Sequence, residues 1–341
     1  MVVASTTMNG APRLGLGMAA LGRPGYITLD RASTLGSVRT IDDMQSKANQ
    51  VMDQLFQLST TSTTTTGANR PWLDCARSYG LSEKFVGEYL RDNKIAPSDV
   101  FVSSKWGYTY VADWNIELGE GDPHEVKDHS ADNFLKQVEE TNEFIGEFVD
   151  LYQVHSATFE SGILTDERVH AALSKCKDER GWMLGLSVSG PNQGDILKEA
   201  MKLKSTTESE KPLFDSVQCT YNILEQGAGE ALQVAHDSGM DIIIKEGLAN
   251  GRALRLPSLK DYAAQLDCAP DQLALGCILA QPFEPRVLSG AVTPEQLTSN
   301  FGAQDVAAKL RNEPGLLEEI MKECRVESEP YWKERSALSW N

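Results

Sequence analysis

Eight short apolar runs, a helical pattern after most of them and a polar residue at the end of several predict a (β/α)8 barrel, the TIM-barrel class of α/β fold. The runs occupy 14–18, 71–74, 100–104, 149–154, 183–188, 216–219, 240–244 and 286–289. Most are dense in Val, Ile and Leu with little polar alternation, as expected of parallel strands buried on both faces. Such strands close into a barrel because their crossovers are right-handed. An open doubly wound sheet is the competing architecture. The first loop speaks against it, since Gly15-Leu16-Gly17-Met18-Ala19-Ala20 lacks the third glycine of a dinucleotide fingerprint. The 341 residues fit a single barrel domain carrying additions.

Taken in order, the first addition is 59–66, almost all Ser and Thr, which reads as a solvated insertion between the first helix and the second strand. Beyond that strand, Ser82 is placed to cap a helix whose inner face is Phe85, Val86, Tyr89 and Leu90. The stretch 106–130, with Tyr108, Tyr110, Trp114, His124 and His129, exceeds a simple connection and reads as a long active-face loop. Ser130 or Asp132 starts the next helix, with Phe134, Val138 and Ile145 inward. Thr165 precedes Val169 and Leu173, and Asn192 precedes Ile196, Ala200 and Met201. Thr293-Pro294-Glu295-Gln296 combines an N-cap, a proline at the first helical position and a capping-box glutamine. A helical extension from about 314 contains Tyr331, Trp332 and Trp340, and either covers the barrel or docks on its side.

Composition narrows the partners. No apolar run approaches the ~20 residues of a membrane-spanning helix. A formal net charge of -17, with no dense Lys/Arg cluster, speaks against nucleic acid and anionic lipid surfaces. The six cysteines lie far apart without a C-x-x-C pair, which predicts reduced, buried thiols and a cytoplasmic setting. Residues 1–13, Ser/Thr-containing and free of acids, leave organellar import open, although a transit peptide is longer. His124 and His129 lack a third ligand, so no metal is expected.

At or near successive strand exits stand Asp74, Lys105, His155, Ser187 and Gln218, and in a barrel these exits converge on one mouth. Tyr79 follows Asp74 in the second loop. A phenol, with an ordinary pKa near ~10, needs a cation to act as an acid at neutral pH. Lys105 can supply it, and Asp74 can keep that lysine charged. His155 can hydrogen-bond a carbonyl oxygen. This set suits carbonyl reduction or its reverse, and since no side chain donates hydride, it calls for a nicotinamide.

The motifs Asp74-x4-Tyr79-Gly-x-Ser-Glu, Val102-Ser-Ser-Lys105 and Val149-Asp-Leu-Tyr-Gln-Val-His155 resemble those of the aldo-keto reductases in type, order and spacing. The likeness continues through Gly185-Leu-Ser187, Val217-Gln218-x2-Tyr221-Asn222 and Gly290-Ala-Val-Thr-Pro-Glu-Gln296-Leu-x2-Asn300. It implies Tyr79 as general acid, tuned by Lys105 and Asp74, with His155 orienting a small carbonyl substrate. It implies Ser187 and Gln218 at the carboxamide of the nicotinamide, Gln296 and Asn300 at the adenine end, and Gly290 as a further cofactor-binding residue. Gly17, Met18, Leu248 and Gly251 fall where such enzymes line the cofactor groove. NADP(H) is implied ahead of NAD(H).

Three departures stand beside this likeness. Ser187-Val188-Ser189 replaces Ser-Asn, Lys245-Glu246-Gly247-Leu248 replaces an aromatic followed by Ser-Pro-Leu, and Val292-Thr293 replaces the Arg and Ser that grip a 2′-phosphate. Two alternatives remain beside the reductase: a cofactor-binding regulatory subunit without turnover, and a Schiff-base aldolase using Lys105 or Lys245.

Overall fold

The computed structural model describes residues 8, 11–29, 31–61, 70–119 and 121–341. Its strands are β1 (Leu14–Gly17), β2 (Trp72–Asp74), β3 (Phe101–Trp106), β4 (Tyr108–Tyr110), β5 (Glu125–Lys127), β6 (Val149–Ala157), β7 (Met183–Val188), β8 (Ser216–Thr220), β9 (Asp241–Lys245) and β10 (Arg286–Ser289). All but β4 and β5 close into one parallel barrel in the order β1-β10-β9-β8-β7-β6-β3-β2. Each barrel strand coincides with one of the eight apolar runs, to within a few residues at its ends. The helices are α1 (Arg31–Leu35), α2 (Ile41–Thr61), α3 (Ser82–Asp92), α4 (Ala131–Ile145), α5 (Glu167–Arg180), α6 (Gln193–Ala200), α7 (Gly229–Asp237), α8 (Pro257–Gln265), α9 (Pro270–Leu279), α10 (Pro294–Phe301), α11 (Ala303–Asn312), α12 (Pro314–Cys324) and α13 (Ser328–Ser336).

The barrel interior has an apolar floor and a polar layer above it. Trp72, Phe101, Leu151, Ile243 and Met8 are buried together and plug the N-terminal end. Trp72 packs its ring flat against β1, where the absence of a side chain at Gly15 makes room for the indole. The Trp72 indole then donates to Ser103 Oγ at 2.9 Å, which joins the plug to the polar layer.

Helix starts follow the sequence with informative shifts. Ser130 caps α4 by accepting from Asn133 N–H at 3.2 Å, and Phe134, Val138 and Ile145 are buried. Ser82 is not the cap of α3. It is the first helical residue, and its hydroxyl donates to the Ala76 carbonyl at 3.2 Å, tying the helix to the preceding loop. Asp166 displaces Thr165 as the cap of α5, its carboxylate accepting from Arg168 and Val169 N–H. Thr293 caps α10 as expected, but Gln296 reaches one residue further back, to Val292 N–H at 3.0 Å.

The additions also take definite form. Residues 59–61 complete the last turn of α2 instead of forming a loop, while 62–66 lie outside the described residues. The segment expected as a loop at 106–130 contains the antiparallel hairpin β4–β5, with Tyr108 opposite Lys127 and Tyr110 opposite Glu125. The C-terminal extension does both things allowed for it. α12 packs on α8 and α11 at the side of the barrel, whereas residues 335–340 cross the mouth. There Trp340 stacks on His124 at 4.1 Å, and Asn341 exchanges backbone hydrogen bonds with Tyr26, each 3.2 Å long. No helix among the described residues is long and apolar enough to cross a membrane.

Candidate active site

Asp74 ends β2 inside the barrel and collects donors from three strands. Its Oδ1 accepts from Ser103 Oγ at 2.7 Å, Gln218 Nε2 at 3.2 Å and Gln153 Nε2 at 3.3 Å. Its Oδ2 pairs with the Lys105 ammonium, which also donates to the Cys75 carbonyl at 2.8 Å. The buried carboxylate thus has donors on both oxygens, as a buried polar group requires. Lys105 is fully buried and lies behind the cavity wall, its Nζ 4.7 Å from the centre of the Tyr79 ring.

Tyr79 hangs from the turn after β2, where Gly80 takes a positive φ of 60° and lies against the Gly22 carbonyl. Burial pushes the phenol well above its ordinary pKa, and the Asp74 charge adds to that, with Arg23 opposing. The lysine beneath therefore does not make the resting phenol a stronger acid than free tyrosine. His155 is turned toward the cavity by an irregularity in β6, where pairing with β7 skips from Val154 to Ala157 and Ser156 adopts φ 52°. Its Nδ1 is 3.2 Å from Ser78 Oγ, and its ring meets Tyr79 and Tyr108 edge-on at 5.4 and 5.1 Å. Burial, then the positive charges of Lys105, Lys245 and Arg23, hold His155 well below its ordinary pKa, so the imidazole is neutral at pH 7.

These groups open onto a cavity of about 1020 Å³ at the C-terminal mouth of the barrel, the functional end of this architecture. It extends from Tyr79 and His155 past β9 to α10. Gly17, Gln218, Leu248, Gly251, Gly290, Gln296 and Asn300 line it. Met18 and Ser187 do not: Met18 is turned into the core, and Ser187 Oγ accepts from Ser156 N–H at 2.8 Å. Ser189 lines the cavity in its stead, bonded to Lys245 Nζ at 2.6 Å.

Lys245 also donates to Thr220 Oγ1 at 2.9 Å, and burial holds its pKa below that of an ordinary lysine. Burial would raise the Glu246 carboxyl, but Lys245 and Arg335 outweigh it and keep Glu246 ionised. Arg335 reaches it at 2.6 Å from α13, 89 residues onward in the chain. Neither Arg335 nor Arg23 was marked by any motif. Both belong to segments outside the strand–helix repeat, and only the closed fold brings them to the mouth.

The far end of the cavity is acidic. Asp271 and Glu295 line it, and Asn300 is held between Ser289 Oγ and the Asp271 carboxylate, both at 2.7 Å.

The aldo/keto reductase family model matches residues 13–313. Among named relatives, an NADH-specific methylglyoxal reductase of Escherichia coli is 22% identical over 260 residues, 67% of this chain and 76% of that one. The oxidoreductase YqkF of Bacillus subtilis, itself uncharacterised, is 23% identical over 287 residues, 76% of this chain and 82% of its own. Among solved structures, the aldo-keto reductase AKR11C1 of Bacillus halodurans in its holo form has a TM-score of 0.64 at 20% identity, covering 93% of this chain and 94% of that one. An aldo-keto reductase from a Medee basin deep-sea metagenome library has a TM-score of 0.57 at 17% identity, covering 86% of each chain. With its closed barrel and a family match over nearly its whole length, the chain is an oxidoreductase belonging to the aldo/keto reductase family.

Proposed function

We propose that the protein interconverts an aldehyde or ketone and its alcohol with a nicotinamide dinucleotide. The observation that carries this reading is one arrangement: Tyr79 and His155 lie side by side on the cavity wall, above the buried Asp74–Lys105 pair. The cavity fits a dinucleotide in length and lining. Gly290 has open space where a side chain would stand, Gly251 takes a left-handed φ of 89°, and Gln218, Asn250, Gln296 and Asn300 add amide groups to an otherwise mixed lining. When bound, the nicotinamide supplies or accepts the hydride.

In the reduction, His155 donates an N–H to the carbonyl oxygen from Nε2, the ring nitrogen without a protein partner among the described residues. Tyr79 passes its hydroxyl proton to that oxygen. The raised phenol pKa does not forbid this step, because an oxygen gaining alkoxide character is more basic than a phenolate. The phenolate left behind faces the Lys105 ammonium, which Asp74 fixes in place. Oxidation runs through the same groups in reverse, with Tyr79 taking the proton from the alcohol.

The resemblance orders NADP(H) ahead of NAD(H), and we read this chain the other way. Asp271 and Glu295 line the end where the late motif lies. Two amide groups at the start of α10 are already engaged, Gln296 N–H by Thr293 Oγ1 and, just before the cap, Val292 N–H by Gln296 Oε1. A 2′-phosphate would meet two carboxylates there. The NADH-specific Escherichia coli relative agrees with this preference.

Tyr79→Phe is the test of the reaction. Turnover of a carbonyl panel should fall by ~100-fold or more, the contribution of a general acid, with NADH affinity nearly unchanged. Turnover like the wild type would overturn the assignment.

A further inference from the structure

Five cations line the cavity: Arg23, Arg31, Lys127, Lys245 and Arg335. Two are paired with acids, Arg23 with Glu125 at 3.1 Å and Arg335 with Glu246 at 2.6 Å. Arg31 donates from one Nη to the Ala20 and Arg23 carbonyls and keeps its Nε and other Nη buried without a partner among the described residues, and Lys245 donates to two hydroxyls. Lys127 is different. It closes the hairpin β4–β5, and its ammonium makes one hydrogen bond among the described residues, to the Ser156 carbonyl at 2.9 Å. It also stands 5.3 Å from the centre of the Tyr108 ring. Burial holds its pKa below that of an ordinary lysine, and the exposed Glu160 opposes this without forming an ion pair with it among the described residues.

An ammonium carries three donors, so Lys127 has two to spend on a ligand. Its location says which ligand. Ser156 follows His155 in the chain, and Tyr108 is the ring that meets His155 at 5.1 Å. A molecule whose carbonyl rests at Tyr79 and His155 therefore extends along Tyr108 to Lys127. Cations gather at this point, Arg23, Lys127, Lys245 and Arg335, with Glu125 and Glu246 paired among them, although the chain as a whole carries a net charge of -17. Lys105, Lys245 and Arg23 all act on His155 in the direction expected of a cationic pocket.

We infer that the substrate is a carbonyl compound bearing an anionic group, carboxylate or phosphate, a few atoms from the carbonyl, and that Lys127 is the residue that binds this group. The inference rests on the carbonyl-reduction reading and adds the substrate class to it. The anion takes the two open donors of Lys127 as charge-assisted hydrogen bonds, the stronger kind. The half-buried position of Lys127 limits the screening that weakens such a contact on an open surface.

The experiment compares matched substrates with NADH as cofactor: glyoxylate against glycolaldehyde, succinic semialdehyde against butanal, and glyceraldehyde 3-phosphate against glyceraldehyde. Wild-type protein should favour at least one anionic member by about tenfold or more in kcat/KM, mainly through KM, the effect of one charged hydrogen bond. Which member is favoured separates carboxylate from phosphate. In Lys127→Met the preference should collapse toward unity, and in Lys127→Arg it should survive, with both variants melting near the wild type. Equal use of charged and neutral partners by the wild type, or a preference that outlasts Lys127→Met, overturns the inference while leaving carbonyl reduction intact. If no carbonyl compound is turned over, the reductase reading fails first. Calorimetry of succinate and inorganic phosphate with wild type and Lys127→Met then decides the anion site by itself, and binding that ignores the substitution refutes it.

Discussion

Glu295 illustrates how one residue can set a preference. It lies in the first turn of α10, where its own backbone N–H and the Thr293 hydroxyl hold its carboxyl below the ordinary range. The helix N-terminus, which elsewhere attracts phosphate, is here already supplied with negative charge. NADH should therefore bind more tightly than NADPH, as read by quenching of tryptophan fluorescence. Glu295→Lys should raise NADPH affinity several-fold at low ionic strength and less at high salt, because the side chain is exposed. Tighter NADPH binding by the unmodified protein would remove the basis for this preference. Lys105 shows the opposite situation, a fully buried charge in contact with Asp74, the Cys75 carbonyl and the Tyr79 ring that also acts on His155. That burial also keeps it off the cavity lining, where Lys127 and Lys245 stand.

Among the elements, α13 matters most to the mouth of the barrel. Arg335 projects from it onto Glu246, while Tyr331 accepts the Arg252 guanidinium on its ring at 4.1 Å and meets Asn222 Nδ2 through its hydroxyl at 3.0 Å. Glu246 itself sits at φ 56°, directly after β9, so the strand end and the C-terminal helix are held by one ion pair. Removing the arginine takes away the ion-pair partner of a buried carboxylate and leaves it Lys245, Thr220 and the more distant Arg252. Arg335→Met should cost roughly 3 kcal/mol in denaturant unfolding, as for a buried pair deprived of one partner, and should expose residues 328–341 to limited proteolysis. A stability within experimental error of the wild type would mean that the tail rests on the mouth without being locked to it. The hairpin β4–β5 is the second element of the mouth, and Tyr108, Glu125 and Lys127 all reach the cavity from it.

At the scale of the whole molecule, two buried histidines couple stability to pH. Burial lowers His129 to about 4 from its ordinary 6.5, while its Nε2 bonds the His155 carbonyl at 2.8 Å; His155 is lowered as well. Below pH 6.5 the unfolded imidazoles bind protons that the folded ones refuse, so stability is complete above that pH and declines as the pH falls. His129 alone accounts for about 3 kcal/mol of the loss by pH 4. Urea midpoints should drop steadily from pH 7 to 4.5, and less steeply in His129→Asn. A flat profile would show that these rings take up protons in the folded state.

The eight barrel strands were legible in the sequence because a parallel strand covered on both faces must be apolar throughout, and local composition reveals that without knowledge of the partner. Asp74, Tyr79, Lys105 and His155 were legible because barrel topology carries every strand exit to the same mouth. The segment 106–130 was not. Its hairpin depends on Tyr108 and Tyr110 finding Lys127 and Glu125 across a connection that shows no strand alternation of its own. Ser187 and Ser189 could not be told apart either, since the turn after β7 decides which hydroxyl faces inward. Likewise, Arg23 and Arg335 reach the mouth from opposite ends of the chain, and their roles exist only once the barrel has closed. The sequence by itself determined the barrel and the placement of Asp74, Tyr79, Lys105 and His155 at one end of it, which rest on local patterning. The tertiary structure decided the charge balance of the cavity, because ion pairs such as Arg335–Glu246 join residues far apart in the chain.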